Sequence, residues 1–63
     1  MKVLGHHVDR EGFVHVEMKL EHENAFKRNA ILGMLSVHGI NDVVDVDHRV
    51  EETGFEFWHI KGV

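Results

Sequence analysis

The chain has 63 residues, 43% of them hydrophobic and 29% charged, which suits one small globular domain spanning residues 1–63. The absence of cysteine excludes disulfides and thiolate metal sites, and it agrees with a cytoplasmic protein. The chain has no apolar run long enough to cross a bilayer, so a membrane partner is not expected. The net charge of -4 disfavours nucleic acid, because phosphate binding needs an excess of Lys and Arg. A core of this size is marginal, so the composition favours self-association.

The chain begins with a predicted β-hairpin. Residues 9–12, Asp-Arg-Glu-Gly, are typical of a type I turn followed by a glycine in the left-handed conformation. Apolar and polar residues alternate after the turn, as they do in a half-buried strand. The bulged register that this turn favours places His6 opposite Val16 and His7 opposite His15.

The stretch NAFKRNAILGMLSVHGI, residues 24–40, predicts a helix. Asn24 is a favourable N-cap, and Gly39 is the residue type that accepts a left-handed conformation just after a helix. Ile40 is then expected to fold back onto Leu35, in the hydrophobic contact that accompanies such a stop.

The spacing of apolar residues predicts which side of this helix enters the core. The expected core stripe consists of Phe26, Ala30, Met34 and Val37. Ile31, Leu32 and Leu35 point away from the centre of that stripe. Ile31 and Leu32 are therefore predicted to form an exposed apolar surface, available to a partner.

The last part of the chain repeats the first. HRVEETGFEFWHIK, residues 48–61, shares the order Val, acid, two residues, Gly and Phe with HHVDREGFVHVEMK, residues 6–19. Chance agreement is the alternative to a true repeat. A second hairpin is predicted, turning at residues 51–54, with Asp47 opposite His59 and His48 opposite Trp58.

These elements predict an α+β domain of ββαββ order, with an antiparallel four-stranded sheet of two pseudo-repeated hairpins and one helix packed on one face. Strand order stays open, because the hairpins can meet by different edges. MLSVHGINDVVDVD, residues 34–47, resembles the helix, Gly-Ile/Val and Val-x-Val strand of heavy-metal-associated and iron-sulfur scaffold domains, which have ferredoxin-like topology. The paired cysteines of those families are absent, so the resemblance implies no function.

Histidine is the residue type that suggests chemistry. His6 and His48 occupy matching positions of the two copies, but no zinc-ligand spacing occurs, so neither a metal nor another cofactor is predicted. A histidine beside a carboxylate is a candidate general base. Nucleophilic catalysis has few candidates, since the chain holds one Ser, one Thr and no Cys or Tyr. A binding protein is therefore favoured over an enzyme.

The sequence favours a small self-associating protein-binding module, most simply a dimer, that acts as an adaptor or inhibitor by occupying the surface of a protein partner. Its compact acidic composition is typical of virus-encoded host modulators. The expected interface residues are Phe13, His15, Phe55, Phe57, His59, Ile31 and Leu32. The alternative is a ligand or metal binder, or an intersubunit enzyme, that uses His7, His15, Asp47 and His59.

Overall fold

The computed structural model describes residues 2–21 and 27–63. They form an α+β domain with an antiparallel four-stranded sheet and one helix, and this part of the prediction is confirmed. In chain order the elements are β1 (Lys2–Val8), β2 (Val14–Glu21), α1 (Lys27–Val37), β3 (Val43–Val50) and β4 (Phe55–Gly62). The predicted N-cap Asn24 and core residue Phe26 lie outside the described residues.

The strands have the order β1-β2-β4-β3, so the two hairpins meet through β2 and β4. Because β2 and β3 each run antiparallel to β4, they are parallel to one another without being neighbours. This arrangement differs from the ferredoxin-like order βαββαβ, and the resemblance of residues 34–47 is therefore local.

Both hairpins turn through the same geometry. In the first, Asp9 N–H donates to the Phe13 carbonyl at 2.9 Å and Gly12 N–H donates to the Asp9 carbonyl at 3.1 Å. The second turn repeats these bonds at 2.8 and 3.1 Å. Gly12 and Gly54 have φ of 91° and 87°, in the left-handed region that glycine enters without steric cost.

The strand registers follow from these turns. The predicted bulged pairing is confirmed in both hairpins, with His6 opposite Val16, His7 opposite His15, Asp47 opposite His59, and His48 opposite Trp58. Local turn chemistry is thus sufficient to decide which side chains share a face of the sheet.

Gly54→Ala should lower the free energy of unfolding by about 1–2 kcal/mol, because a Cβ is strained in the left-handed region. Nothing lies within 4 Å of the added Cβ, so the backbone alone accounts for the loss. Gly54→Asn should recover much of it, because Asn tolerates positive φ. Urea denaturation of the two variants measures the difference. If both variants were as stable as the unsubstituted protein, the turn assignment would be wrong.

The core lies between α1 and one face of the sheet, which we call the inner face; the opposite face is the outer face. The buried apolar residues come from the two central strands, from α1 and from the turn that follows it: Val16, Met18, Leu20, Ile31, Leu35, Ile40 and Ile60. Val3, Val14, Met34 and Trp58 are partly buried against this cluster. The central strands therefore supply most of the sheet's contribution to the core.

The helix packs by a different side from the predicted one. Val37, expected in the core, is 80% exposed, whereas Ile31 and Leu35 are 8% and 4% exposed. The helix stop gives the reason. Gly39 has a φ of 86°, as predicted, and Ile40 N–H donates to the Leu35 carbonyl at 2.8 Å, which brings Ile40 beside Leu35. Both side chains join the core, so the Leu35 side of α1 faces the sheet.

The loop between α1 and β3 is tied to the end of β4. Asn41 and Asp42 N–H groups donate to the Val63 carbonyl at 2.8 and 2.9 Å, and Val63 N–H donates to the Asp42 carbonyl at 2.9 Å. Gly62 lies beneath this loop, where a Cβ would be 2.4 Å from the Asp42 carbonyl oxygen and 2.5 Å from Ile40 Cγ2. The loop closes onto β4 because residue 62 has no side chain.

Candidate functional site

Three histidines meet on the outer face. His7 on β1 lies opposite His15 on β2, and their rings stack with centroids 4.4 Å apart and 7° between planes. The His59 ring on β4 approaches His15 from the other side, with centroids 5.1 Å apart. The register predicted that these residues share a face, and the structure brings their rings into contact.

A hydrogen-bonded series of three residues, which we call the histidine chain, runs from Asp9 through His15 to His59. His15 Nε2 lies 2.7 Å from Asp9 Oδ2, and His15 Nδ1 lies 2.8 Å from His59 Nε2. An ionised carboxylate only accepts, so His15 Nε2–H donates to Asp9. In a neutral His15 the Nδ1 atom is then an acceptor, and His59 Nε2–H donates to it. A neutral His59 consequently has its Nδ1 atom as the acceptor at the end of the chain.

Asp9 connects the histidine chain to the first turn. Its Oδ1 atom accepts hydrogen bonds from the N–H groups of Glu11 at 2.9 Å and Phe13 at 3.0 Å, while Oδ2 accepts from His15. The hydrogen bond from His15 is the main cause that holds the pKa of Asp9 below its usual value of 3.8. The same carboxylate therefore orders the turn and orients an imidazole ring.

Acid should weaken this connection. The pKa of Asp9 is lower in the folded protein, so its carboxylate stabilises the fold fully above the unfolded-state value of 3.8, and this contribution is lost as the pH falls through the lower folded-state value. Asp9→Asn should be less stable than the unsubstituted protein near neutral pH, with the difference shrinking as the pH falls below 3.8. Urea denaturation across that range measures it, and a difference independent of pH would contradict the assignment.

A cavity of about 260 Å³ opens on the outer face beside the histidine chain. All four strands contribute to its lining, which includes Leu4, Glu17, Asp47, Arg49, Phe57 and His59. Leu4 is the residue that β1 leaves unpaired where it bulges between Val3 and Gly5. Two carboxylates, a guanidinium group, an aromatic ring and an imidazole therefore surround one space.

The outer-face phenylalanines are half-buried beneath cationic side chains. The distances from the charged group to the ring centroid are 4.3 Å for Lys19 over Phe55, 4.4 Å for Lys61 over Phe13 and 5.3 Å for Arg49 over Phe57. Contacts of this kind contribute about 0.5–1 kcal/mol each at exposed sites. The outer face is therefore a mixed aromatic and cationic surface, and the aromatic rings are not bare.

The predicted interface residues separate into three groups. Five of them share the outer face: Phe13, His15, Phe55, Phe57 and His59. Leu32 is 56% exposed on α1. Ile31 was expected on an exposed surface. That prediction is wrong, because the Leu35 side of the helix, which includes Ile31, packs in the core.

A second exposed surface lies along β3. All eight residues of this strand are exposed, including four valines, Val43, Val44, Val46 and Val50, at 45–54%. A helix about 10 Å across covers only about two strands spaced about 4.8 Å apart, so α1 leaves an edge of the sheet bare.

One histidine of β3 is nevertheless held in place. His48 Nε2 lies 2.5 Å from Oε1 of Glu56, a residue only 1% exposed, and the His48 ring stacks on Trp58 with centroids 3.9 Å apart. This short hydrogen bond joins the ring to a buried carboxyl group. It fixes the orientation of an edge residue against the central strand β4.

Three contributors to these surfaces were not predicted from the sequence. Asp9 was assigned to the turn alone, although a hairpin of this length brings it near His15. Leu4 precedes Gly5, and a glycine within a strand often marks a bulge. Glu56 occupies the inner-facing position between two outer-facing phenylalanines, so strand alternation carried the signal for its burial.

Within residues 2–21 and 27–63, no three histidine or acidic side chains are placed to hold a metal ion, and no helix is long and apolar enough to cross a bilayer. The chain matches no protein-family model, no curated protein and no solved structure.

Proposed function

We propose that the protein is a small self-associating, protein-binding module, an adaptor or inhibitor that acts by occupying the surface of a larger protein. The observation that carries the proposal is β3, whose eight residues are all exposed and include four valines. Apolar residues along an unpaired strand edge are a feature of interaction sites. A domain of 63 residues also gains stability when such a surface is covered.

The outer face supports binding of a protein partner. Its three phenylalanines lie under lysine and arginine side chains, and protein interfaces are enriched in aromatic residues and arginine. We propose that the protein is cytoplasmic, because a cysteine-free chain needs no oxidising environment. A virus-encoded modulator of a host protein is the source class that this compact acidic composition suggests.

Val46→Lys tests the self-association. A lysine on an edge strand opposes pairing with another strand, and Val46 is 45% exposed, so the monomer fold should be kept. The unsubstituted protein is expected to sediment as a dimer and the variant as a monomer, with the same circular dichroism. Val37→Lys, at a helix position 80% exposed, is the matched control and should remain dimeric. An unsubstituted protein that stays monomeric at high concentration would refute self-association.

We also propose that the two hairpins are copies of one unit. Each copy places a lysine over the phenylalanine of the other: Lys19 of the first lies over Phe55 of the second, and Lys61 of the second lies over Phe13 of the first. These lysines and phenylalanines occupy equivalent positions in the sequence repeat. The reciprocal contacts support an internal twofold relation through the centre of the β2–β4 ladder.

A small-molecule site on the outer face is the second candidate. The specific observation in its favour is the histidine chain, which ends beside the cavity. Glu17 and Asp47 bring negative charge to that cavity, and Phe57 supplies an aromatic wall. A ligand that combines an ammonium group with an aromatic ring suits these walls. Catalysis at a site shared between subunits would use the same histidine chain.

Benzylammonium ion is a direct probe of the second candidate. We expect it to shift the amide NMR signals of residues that line the cavity, and we expect His59→Gln to weaken binding about tenfold by displacing the terminal acceptor. Phe13→Ser removes an outer-face ring that does not line the cavity, and binding should be unchanged. Absence of any shift in the unsubstituted protein would exclude an ammonium ligand at this site.

A further inference from the structure

The outward edge of β3 carries main-chain groups that face away from the sheet. Within the described part of the chain, β3 pairs only with β4. Glu51 N–H donates to the main chain of β4, and residues of an antiparallel ladder alternate between facing their partner strand and facing away. The N–H and C=O groups of Val46, His48 and Val50 therefore point outward. In agreement, Val46 N–H donates to the side chain of Asp45 at 3.0 Å.

The edge formed by β1 is less suited to accept another strand. β1 bulges between Val3 and Gly5, and only the four residues from Gly5 to Val8 pair regularly with β2. Short, bulged edges resist pairing, and natural proteins use them to prevent it. β3 is regular over the six residues from 45 to 50, so it is the edge that the fold leaves open.

We propose that a second copy of this chain pairs antiparallel with β3 around a twofold axis at His48. The inference rests on the proposed self-association and assigns it to one strand. On the inner face, Val46 lies opposite Val50 of the partner subunit. On the outer face, Asp47 lies opposite Arg49 of the partner subunit, and the twofold axis repeats both couples. The outward main-chain groups of β3 then form a ladder, in which the partner strand replaces the Asp45 side chain at Val46 N–H.

Charge and strand regularity together select this register. Opposite charges directly across an antiparallel pair stabilise it, and like charges destabilise it. A shift in one direction places Arg49 against Arg49 of the partner subunit and Asp47 against Glu51 of the partner subunit, so charge opposes it. A shift in the other direction places Asp47 against Asp47 of the partner subunit and Asp45 against Arg49 of the partner subunit. Its outermost hydrogen-bonded pairs need residue 44, at the irregularity of β3, whereas the proposed ladder uses only residues 46–50.

One kind of like-charged couple is left in the proposed register, and the twofold axis repeats it. Asp45 lies opposite Glu51 of the partner subunit, at the two ends of the ladder. There Glu51 has left the strand, and its Oε1 atom lies 3.2 Å from Nε of Arg49 in its own subunit. The guanidinium group offsets part of the repulsion, which is weak between exposed side chains in water.

The proposed pairing limits assembly to two copies. An isologous interface uses the same edge of both subunits, so neither β3 is left for a third copy. The four-stranded sheet of each copy joins the other through a single ladder. Val46 and Val50 of the two β3 strands meet on the inner face, which covers part of the apolar surface that α1 leaves bare.

Cysteine cross-linking measures the register directly, because the chain contains no cysteine. Val46→Cys and Val50→Cys proteins, mixed in equal amounts and then oxidised, should form the mixed disulfide in preference to either self-linked dimer. Directly opposed Cα atoms of a hydrogen-bonded pair are about 5.5 Å apart, which matches disulfide geometry. Val44→Cys mixed with Val50→Cys is the control, because those positions face each other only in the register that opposes the two Asp47 residues.

Charge reversal provides a second measurement. Asp47→Arg and Arg49→Asp each convert two attractive couples into repulsive ones, and each should raise the dissociation constant of the dimer about tenfold. The chain that carries both substitutions restores opposite charges across the axis. Its dissociation constant, from sedimentation, should return to within about threefold of the original.

The outcomes separate this inference from the proposed function. A mixed disulfide between positions 46 and 50, with recovery in the doubly substituted chain, supports the β3 register. A dimer that links other positions or none, or that fails to recover, overturns the register and leaves self-association standing. A chain that stays monomeric overturns both.

Discussion

Gly62→Ala should remove most of the stability of the domain. The added Cβ would lie 2.4 Å from the carbonyl oxygen of Asp42 and 2.5 Å from Ile40 Cγ2, so both the loop backbone and a core side chain must move. Overpacking typically costs about 1–3 kcal/mol, and a backbone clash belongs at the upper end. A core of this size rarely supplies more than about 3–5 kcal/mol, so the loss approaches the whole stability of the domain.

Gly33→Ala is the matched control for that substitution. Gly33 is exposed on α1, and nothing lies within 4 Å of a Cβ added there. Alanine should raise the free energy of unfolding by up to about 1 kcal/mol, because it is the better helix former. Circular dichroism and urea denaturation compare the two variants. A Gly62→Ala protein as stable as the unsubstituted one would show that the end of β4 does not pack under the 41–42 loop.

Leu35→Ala should lower the free energy of unfolding by about 2–5 kcal/mol, which is the usual range for truncating a buried leucine. Leu35 is 4% exposed and belongs to the core cluster, where the backbone hydrogen bond from Ile40 holds the neighbouring turn against it. Denaturation by urea, followed by the fluorescence of Trp58, measures the loss.

Leu32→Ala is the control within the same helix. It removes the same atoms from a side chain that is 56% exposed, and the change should stay within about 0.5 kcal/mol. The comparison tests which side of α1 packs on the sheet. Similar losses of unfolding free energy in Leu32→Ala and Leu35→Ala would mean that the helix is rotated. A larger loss in Val37→Ala than in Leu35→Ala would favour the core stripe that the sequence spacing suggested.

The hairpins could be predicted from the sequence because local chemistry specifies them. An acid followed three residues later by glycine gives a turn with only one good bulged register, and the register then assigns each side chain to a face. Gly39 specifies the helix stop in the same way. The strand order could not be predicted, because β2 and β4 are separated in the sequence by α1 and β3. No local residue decides which edges of the two hairpins meet.

The choice of helix face also depends on distant residues. Phe26, Ala30, Met34 and Val37 form a regular stripe in the sequence, but Ile40 is placed by the turn after α1, and its contact with Leu35 ties a different side to the core. The bare edge at β3 follows from the widths of a helix and a sheet, which only the assembled sheet reveals.

The outer-face cluster was predictable in part. The turn register placed His7 opposite His15 and put His59 on the same face, since cross-strand neighbours within a hairpin are fixed once its turn is fixed. The contact between His15 and His59 depends on the pairing of β2 with β4. Asp9 was assigned to the turn alone, although its carboxylate serves the turn with one oxygen and His15 with the other. A residue whose presence is already explained by its turn can thus also bind a side chain outside that turn.

The hydrogen bonds that join Val63 to the 41–42 loop limit the local opening of the domain. A fraying motion at the end of β4 must break all three bonds, and the same event releases the chain that enters β3. The two strands of the second hairpin are therefore fastened at both extremities, by a reverse turn at one and by the loop at the other. Its partial openings should be concerted, with little stepwise peeling.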